Sequence, residues 1–135
     1  MDIDELRSSK YFCMAPFAHI RNLCGVPAPC CMATDNIIDA HTQRNLKSAF
    51  HSIEWDDLRQ KMLKDGPIDI CTHCYDEEDK GLKSLRQNLN EYHLSEEKIL
   101  NPKIRDIDMA MSNKCNFKCV TCGINYSSAW YGEEQ

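Results

Sequence analysis

The order of apolar and polar positions predicts a β-hairpin near the start of the chain. Residues 17–23 and 26–32 are largely apolar and flank Gly25, which can supply the positive φ of a tight turn. Pro27 and Pro29 cannot donate hydrogen bonds to a strand ladder. They lie two residues apart and therefore face the same edge, so the second strand can still pair through its other edge.

A helix is predicted to begin at Ser52, a good N-cap residue that is followed by acidic residues in the first turn. Trp55, Leu58 and Met62 form its apolar stripe, and Gly66 ends it. This stripe is typical of core packing.

A second helix is predicted after Cys74, with an apolar stripe that is also assigned to the core. The stripe consists of Leu82, Leu85, Leu89 and Tyr92. The acidic run at residues 76–79 is interpreted as a solvated helix N-terminus, and His73 is interpreted as a loop residue rather than a ligand. Ser84 and Arg86 are expected to cap this helix or pair with it.

Alternation of side chains predicts a strand at residues 104–111, after the break at Pro102. The apolar positions are Ile107, Met109 and Met111, and the intervening positions are Asp106, Asp108 and Ala110.

Charge and hydropathy exclude several classes of partner. The chain has 16 basic and 21 acidic residues and a net charge of −5, which argues against a nucleic acid or an anionic membrane as the main partner. Its acidic start lacks the positive region of a secretory signal, and no apolar run approaches the about 18 residues of a membrane span. These features predict a cytoplasmic protein without a membrane partner.

Nine cysteines in 135 residues are many for a reducing compartment, where thiols rarely pair as disulfides. Their odd number would leave one thiol unpaired even in an oxidising compartment. Ligation of a metal or an iron–sulfur cluster explains them more simply. They form three groups: Cys13, Cys24, Cys30 and Cys31; Cys71 and Cys74; and Cys115, Cys119 and Cys122.

The last group has the spacing C-x3-C-x2-C and directly follows the predicted strand at residues 104–111. Three thiolates from one short loop can hold three corners of a cubic [4Fe-4S] cluster and leave one iron open to a substrate or cofactor. Structural zinc sites usually close with four ligands, and no fourth ligand lies near this run in the sequence. The spacing therefore favours an open cluster.

This run resembles the signature of radical S-adenosylmethionine (radical SAM) enzymes of the twitch- or SPASM-containing type. The similarity includes residues 111–113 before the run and residues 126–130 after it. It implies that Cys115, Cys119 and Cys122 bind a catalytic [4Fe-4S] cluster whose open iron chelates S-adenosylmethionine. A low-potential electron donor would then drive cleavage to a 5′-deoxyadenosyl radical. One departure is Thr121, where the family usually has a large apolar residue.

A second similarity lies upstream and implies an auxiliary [4Fe-4S] cluster. The motifs that carry it are Cys13-x-Ala15-Pro16-Phe17, Gly25-x4-Cys30-Cys31, Trp55-x2-Leu58-Arg59, Cys71-x2-Cys74-Tyr75 and Glu78-x2-Gly81-x2-Ser84-x-Arg86. The implied ligands are Cys13, Cys30, Cys71 and Cys74. Cys31 is an alternative to Cys30, because only one of two neighbours in a strand faces a given side.

The resemblance covers most of residues 12–131 and implies two domains. Residues 1–100 would form an α+β, cysteine-rich auxiliary cluster domain. Residues 101–135 would form the first strand, cluster loop and helix of an incomplete (β/α) radical SAM barrel. Six βα units need about 180 residues, whereas 32 follow Lys103. We therefore expect a fragment or a split protein that does not complete the reaction alone.

Two other readings of the thiols stay open. A zinc-stapled module that recruits a partner would use the upstream four thiolates, because thiolate spacing does not distinguish zinc from an iron–sulfur cluster. A small electron carrier with two clusters would not cleave the cofactor. Relatives with auxiliary clusters often modify peptides or proteins, which suggests a substrate class but not a substrate.

Overall fold

Short helices and a three-stranded sheet make up the part of the chain that the computed structural model describes, which is residues 2–23, 25–34, 45–110, 114 and 128. The elements in chain order are α1 (Ile3–Ser8), α2 (Ala15–Ala18), β1 (His19–Leu23), β2 (Val26–Ala28), α3 (Leu46–Phe50), α4 (Ile53–Leu63), a 3₁₀ turn (Asp69–Cys71), α5 (Thr72–Asp79), α6 (Leu85–His93), α7 (Glu96–Leu100) and β3 (Asp106–Ala110). Within these ranges no helix has the length and apolar character needed to cross a bilayer.

The predicted hairpin is confirmed, with shorter strands. β1 pairs antiparallel with β2, and Leu23 lies opposite Val26 at the turn. Gly25 has φ 91°, as the turn requires. Pro27 lies in β2, which is an edge strand of the sheet order β2-β1-β3. The first strand starts later than predicted because Pro16 opens the short helix α2, and Cys24 lies outside the described residues.

The strand predicted before the last cysteine group is confirmed as β3, although Met111 lies outside the described residues. β3 runs parallel to β1, with Ile20 opposite Ile107. The chain is aligned before the strand begins, because the Arg105 N–H donates to the Ala18 carbonyl at 2.8 Å. This pairing places β3 at the edge of the same sheet as the hairpin. The boundary at residue 100 stays a prediction.

Helix α4 confirms the predicted N-cap, because the Ser52 hydroxyl accepts the Trp55 N–H at 3.3 Å. The stripe of Trp55, Leu58 and Met62 is buried as expected. The helix stop differs in detail from the prediction. The residue with a left-handed backbone is Asp65, at φ 51°, and not Gly66.

The prediction of one helix with a buried stripe after Cys74 is wrong. Two helices, α5 and α6, are separated by a turn in which Gly81 has φ 78°. Leu82 lies in this turn and is 57% exposed, and Tyr92 is 76% exposed. The face of α6 that is buried carries Leu89 together with Arg86 and His93.

Two smaller expectations also change in this region. His73 lies in α5 rather than in a loop, and it is exposed beside Glu77 at 3.4 Å. The acidic run at residues 76–79 occupies the C-terminal half of α5, not a helix N-terminus. Glu78 in this run is not solvated but pairs with Arg86.

A buried arginine joins the two buried cores of the fold. The main core includes Phe12, Phe17, Leu58 and Met62. The smaller core contains Ile20, Ala49, Phe50 and Trp55. Arg59 of α4 donates to the carbonyls of Pro16 at 2.8 Å and Phe50 at 2.6 Å. Its guanidinium also stacks 4.5 Å from the centre of the Phe50 ring. These contacts fix α4 against α2, the helix that begins two residues after Cys13.

Candidate metal centre

Four cysteines from separate parts of the fold line one small, mainly apolar cavity. Cys13 precedes α2, Cys30 follows β2, Cys71 ends the 3₁₀ turn and Cys74 lies in α5. All four are free thiols. They are the four residues that the sequence resemblance assigns to an auxiliary cluster. Folding therefore brings all four predicted ligands together.

The structure distinguishes Cys30 from its neighbour. Cys30 is partly buried and lines the cavity, whereas Cys31 is exposed and does not line it. Of the two alternatives that strand alternation left open, Cys30 is thus the one placed beside Cys13, Cys71 and Cys74.

The Cys13 sulfur has a backbone hydrogen-bond donor. Such donors stabilise the negative charge of a thiolate and tune the potential of iron–sulfur clusters. The Ala15 N–H lies 3.4 Å from the Cys13 sulfur. At the other three sulfurs polar groups act against the effect of burial: the N–H groups of Met32 and Ala33 lower the pKa of Cys30, the Tyr75 hydroxyl lowers that of Cys71 and the Arg86 N–H lowers that of Cys74.

Burial raises the pKa of all four thiols. The pKa rises to about 11 for Cys30 and to about 12 for Cys71, chiefly because their surroundings exclude water and then because neighbouring thiolates repel. The pKa values of Cys13 and Cys74 are raised for the same first reason. Without a bound cation these thiols are therefore protonated at neutral pH, and metal binding must release their protons.

A buried ion pair adjoins the cavity. Arg86 lines the cavity, and its Nε and Nη2 donate to the two carboxylate oxygens of Glu78 at 2.8 and 2.6 Å. Ser84 donates to the same carboxylate at 2.5 Å while it caps α6. The sequence left capping and pairing open for Ser84 and Arg86, and both occur.

Helix α6 also fixes the backbone around Cys13. Asn90 accepts the Met14 N–H at 2.8 Å and donates to the Phe12 carbonyl at 2.9 Å. Arg86, one turn earlier on α6, donates to the same carbonyl at 2.8 Å. The peptide groups on both sides of Cys13 are therefore held by one helix, which sets the position of this sulfur.

The four thiols and the volume of the cavity limit which metal ion or cluster can be held here. Among the described residues, no three His, Cys, Asp or Glu side chains form a group ready to hold a metal ion. The cavity has a volume of about 20 Å³, on the order of one water molecule. The donor set fits a tetrathiolate cluster, but a cubic cluster needs the cavity to widen. The short coil that carries Cys30 is held to the 3₁₀ turn by the Thr34 N–H, which donates to the Ile70 carbonyl at 3.0 Å, and to β1 by the contact of the His19 ring with the Pro29 carbonyl at 2.9 Å.

The three cysteines of the C-x3-C-x2-C run, Cys115, Cys119 and Cys122, lie outside the described residues. The structure shows the strand that leads toward them, β3, which ends at Ala110. Their assignment to a catalytic cluster stays a prediction.

Comparisons of this chain with protein-family models, with curated proteins and with solved structures found no match. The functional argument therefore rests on the motifs of the chain and on the geometry around the cavity.

Sequence reasoning missed the parts of the site that are not thiols. Tyr75 and Arg86 belong to the motifs of the resemblance, but their spacing does not indicate a place beside the thiols. Asn90 gives no signal, because an asparagine within a helix is common. A charged residue within an otherwise apolar helix face is the signal that could have identified Arg86.

Proposed function

We propose that this chain is an iron–sulfur protein of the radical SAM type, with an auxiliary [4Fe-4S] cluster on Cys13, Cys30, Cys71 and Cys74. The observation that carries the proposal is the meeting of these four thiols at one cavity, although up to 61 positions separate them in the sequence. The backbone N–H of Ala15, which donates to the Cys13 sulfur at 3.4 Å, supports thiolate ligation further.

The residues around the cavity have separate tasks in this proposal. Cys13 and Cys74 are held by α2, α5 and α6, so they form the fixed side of the site. Cys30 lies on the coil after β2 and completes the set of four thiols. Apolar walls, among them Met62 and Leu89, keep water from the sulfurs. Water exclusion and hydrogen bonding both influence the reduction potential of such a cluster.

The catalytic part of the proposal belongs to Cys115, Cys119 and Cys122, which are the residues that would hold the second cluster. When bound there, a [4Fe-4S] cluster and S-adenosylmethionine would supply a 5′-deoxyadenosyl radical by reductive cleavage of a carbon–sulfur bond. We place this chemistry in the cytoplasm, with a low-potential electron donor as partner and a peptide or protein as the substrate class. Further barrel strands would be needed to complete the reaction, whereas Cys115, Cys119 and Cys122 would themselves leave one iron open to bind the cofactor.

One observation favours a second candidate, a zinc-stapled structural module. The small cavity needs less widening for a single zinc ion than for a cubic cluster. Four thiolates also form a common structural zinc site. In that case the protein would be colourless, stable in air and free of inorganic sulfide.

Anaerobic reconstitution followed by electron paramagnetic resonance separates the candidates. A chain of the radical SAM type gives a reduced cluster spectrum that changes when S-adenosylmethionine is added. The change disappears when Cys115, Cys119 and Cys122 are replaced by serine. A reduced spectrum without any response to the cofactor indicates an electron carrier, and zinc without a cluster spectrum indicates the structural module.

A further inference from the structure

One charged side chain reaches the thiol cavity from the side of the polar groove that α1, α5 and α6 form. Arg86 lines both the cavity and this groove, and its side chain is 7% exposed. An arginine so deeply buried is rare unless it is paired. Its partner Glu78 lines the groove but not the cavity, so only the positive member of the pair borders the cavity.

Arg86 is held rigidly in that place. Besides the two bonds to Glu78, its Nη1 donates to the carbonyls of Ser9 at 3.0 Å and Phe12 at 2.8 Å. The guanidinium cannot move away when charge develops in the cavity, because every one of these bonds would have to break.

The fields of the two partners reach the sulfurs unequally. The charge of Arg86 acts on Cys13, Cys71 and Cys74, but at Cys74 the carboxylates of Glu77 and Glu78 act more strongly than the charge of Arg86. Four thiolates make a bound cluster negative, and one-electron reduction makes it more negative. A fixed positive charge beside it therefore stabilises the reduced form, and the carboxylate of Glu78 offsets part of this effect on the side of Cys74.

We propose that Arg86, held by Glu78, raises the reduction potential of the group bound by the four thiols and so makes that group easier to reduce. This inference rests on the proposed function. The step involved is the transfer of one electron from an external one-electron reductant, which is oxidised, to the bound group; no bond forms or breaks. Arg86 acts as a positioning and charge-bearing residue, not as a ligand.

The test uses the full chain with Cys115, Cys119 and Cys122 replaced by serine, so that only the auxiliary site is loaded. Midpoint potentials are measured by dithionite titration followed by electron paramagnetic resonance. Arg86→Gln is expected to shift the potential to more negative values and Glu78→Gln to more positive values. Arg86→Lys, which keeps the charge, should stay near the potential of the parent chain.

Arg59→Gln is the matched control, because Arg59 is a second buried arginine bonded to backbone carbonyls and does not line the cavity. It should lower stability without shifting the potential. If Arg86→Gln assembles no cluster, the test relies on Glu78→Gln, whose reduction potential should become more positive. An unchanged potential in Glu78→Gln then overturns the inference.

Shifts of the same sign in Arg86→Gln and Glu78→Gln, or no shift in either, overturn the inference and leave the proposed function intact. The same holds if Arg86→Lys is displaced as far as Arg86→Gln. A parent chain that assembles no iron–sulfur cluster ends the proposed function and the inference together. The two failures are therefore distinguishable.

Discussion

The imidazole of His93 contacts the carboxylate of Asp106 through its Nε2 and links the end of α6 to the start of β3. His93 is 2% exposed, and its Nδ1 is buried without a partner among the described residues. The helix that holds the Cys13 segment is thereby joined to the strand that leads toward the last cysteine group. The position of β3 depends on this contact as well as on its pairing with β1.

We expect Asp106→Ala to lower the free energy of unfolding by about 2 kcal/mol, because it leaves both nitrogens of a buried imidazole without a partner. The matched control is Asp57→Ala, which removes an exposed carboxylate paired with Lys61 at 2.7 Å. The control should cost less than about 0.5 kcal/mol. Urea denaturation measures both, and equal losses would show that the His93 contact contributes nothing.

Ser84 combines an N-cap with a hydrogen bond to a buried carboxylate. Its hydroxyl accepts the Gln87 N–H at 3.2 Å and donates to Glu78, and it has no exposed surface. Ser84→Ala is expected to cost about 2 kcal/mol, because both interactions are lost together. Ser95→Ala removes only the cap of α7 and should cost about 1 kcal/mol. Urea denaturation that gives the same loss for both variants would contradict the double role.

Glu78 should make the stability of the chain sensitive to acid. Burial raises its pKa, but the hydrogen bonds and charge of Arg86 and the Ser84 hydroxyl outweigh burial, so the pKa lies below its usual 4.5. The folded state then binds the proton less tightly than the unfolded state. The stabilisation is complete above pH 4.5, and it is lost as pH falls through the lowered pKa.

Urea denaturation of the metal-free chain between about pH 6 and about pH 3 tests this coupling. Glu78→Gln should flatten the loss of stability at the acid end. Glu97→Gln is the control, since Glu97 is exposed and lies 3.5 Å from Arg105; it should keep the slope of the unsubstituted chain. If both variants have that slope, the ion pair of Glu78 does not produce the acid sensitivity.

Cys30 and Cys31 should differ in metal binding although they are neighbours. The cavity is lined by Cys30, while Cys31 is exposed. After anaerobic reconstitution, Cys30→Ser should lower the iron bound at the auxiliary site and Cys31→Ser should not. Iron analysis of the two variants measures this directly. The opposite result would mean that the coil rotates by one residue when it binds.

Local signals along the chain were sufficient to predict several elements. Ser52 was predicted to cap α4 because its side chain and the following acidic turn act within a few residues. Gly25 was predicted to be the hairpin turn because few other residues adopt its φ. Such features need no knowledge of distant parts of the chain.

Other features depended on contacts across the fold. The apolar spacing of Leu82 and Tyr92 suggests a buried stripe. Gly81 ends α5 before Leu82, however, and both side chains are exposed in the described part of the chain, whereas Leu89 is buried. Apolar spacing reports a preference for burial, not the presence of a neighbour. The choice of Cys30 over Cys31 likewise depends on where α5 lies. The alternation of side chains along a strand gives no information on that position.

Iron and acid-labile sulfide analysis of the chain with Cys115, Cys119 and Cys122 replaced by serine tests the central claim most directly. After oxygen-free reconstitution we expect about four iron and four sulfide per chain at the auxiliary site. Further replacement of Cys13 and Cys71 by serine should remove both. Zinc without sulfide, or iron that remains after Cys13 and Cys71 are replaced, would contradict a cluster held by the four thiols of the cavity.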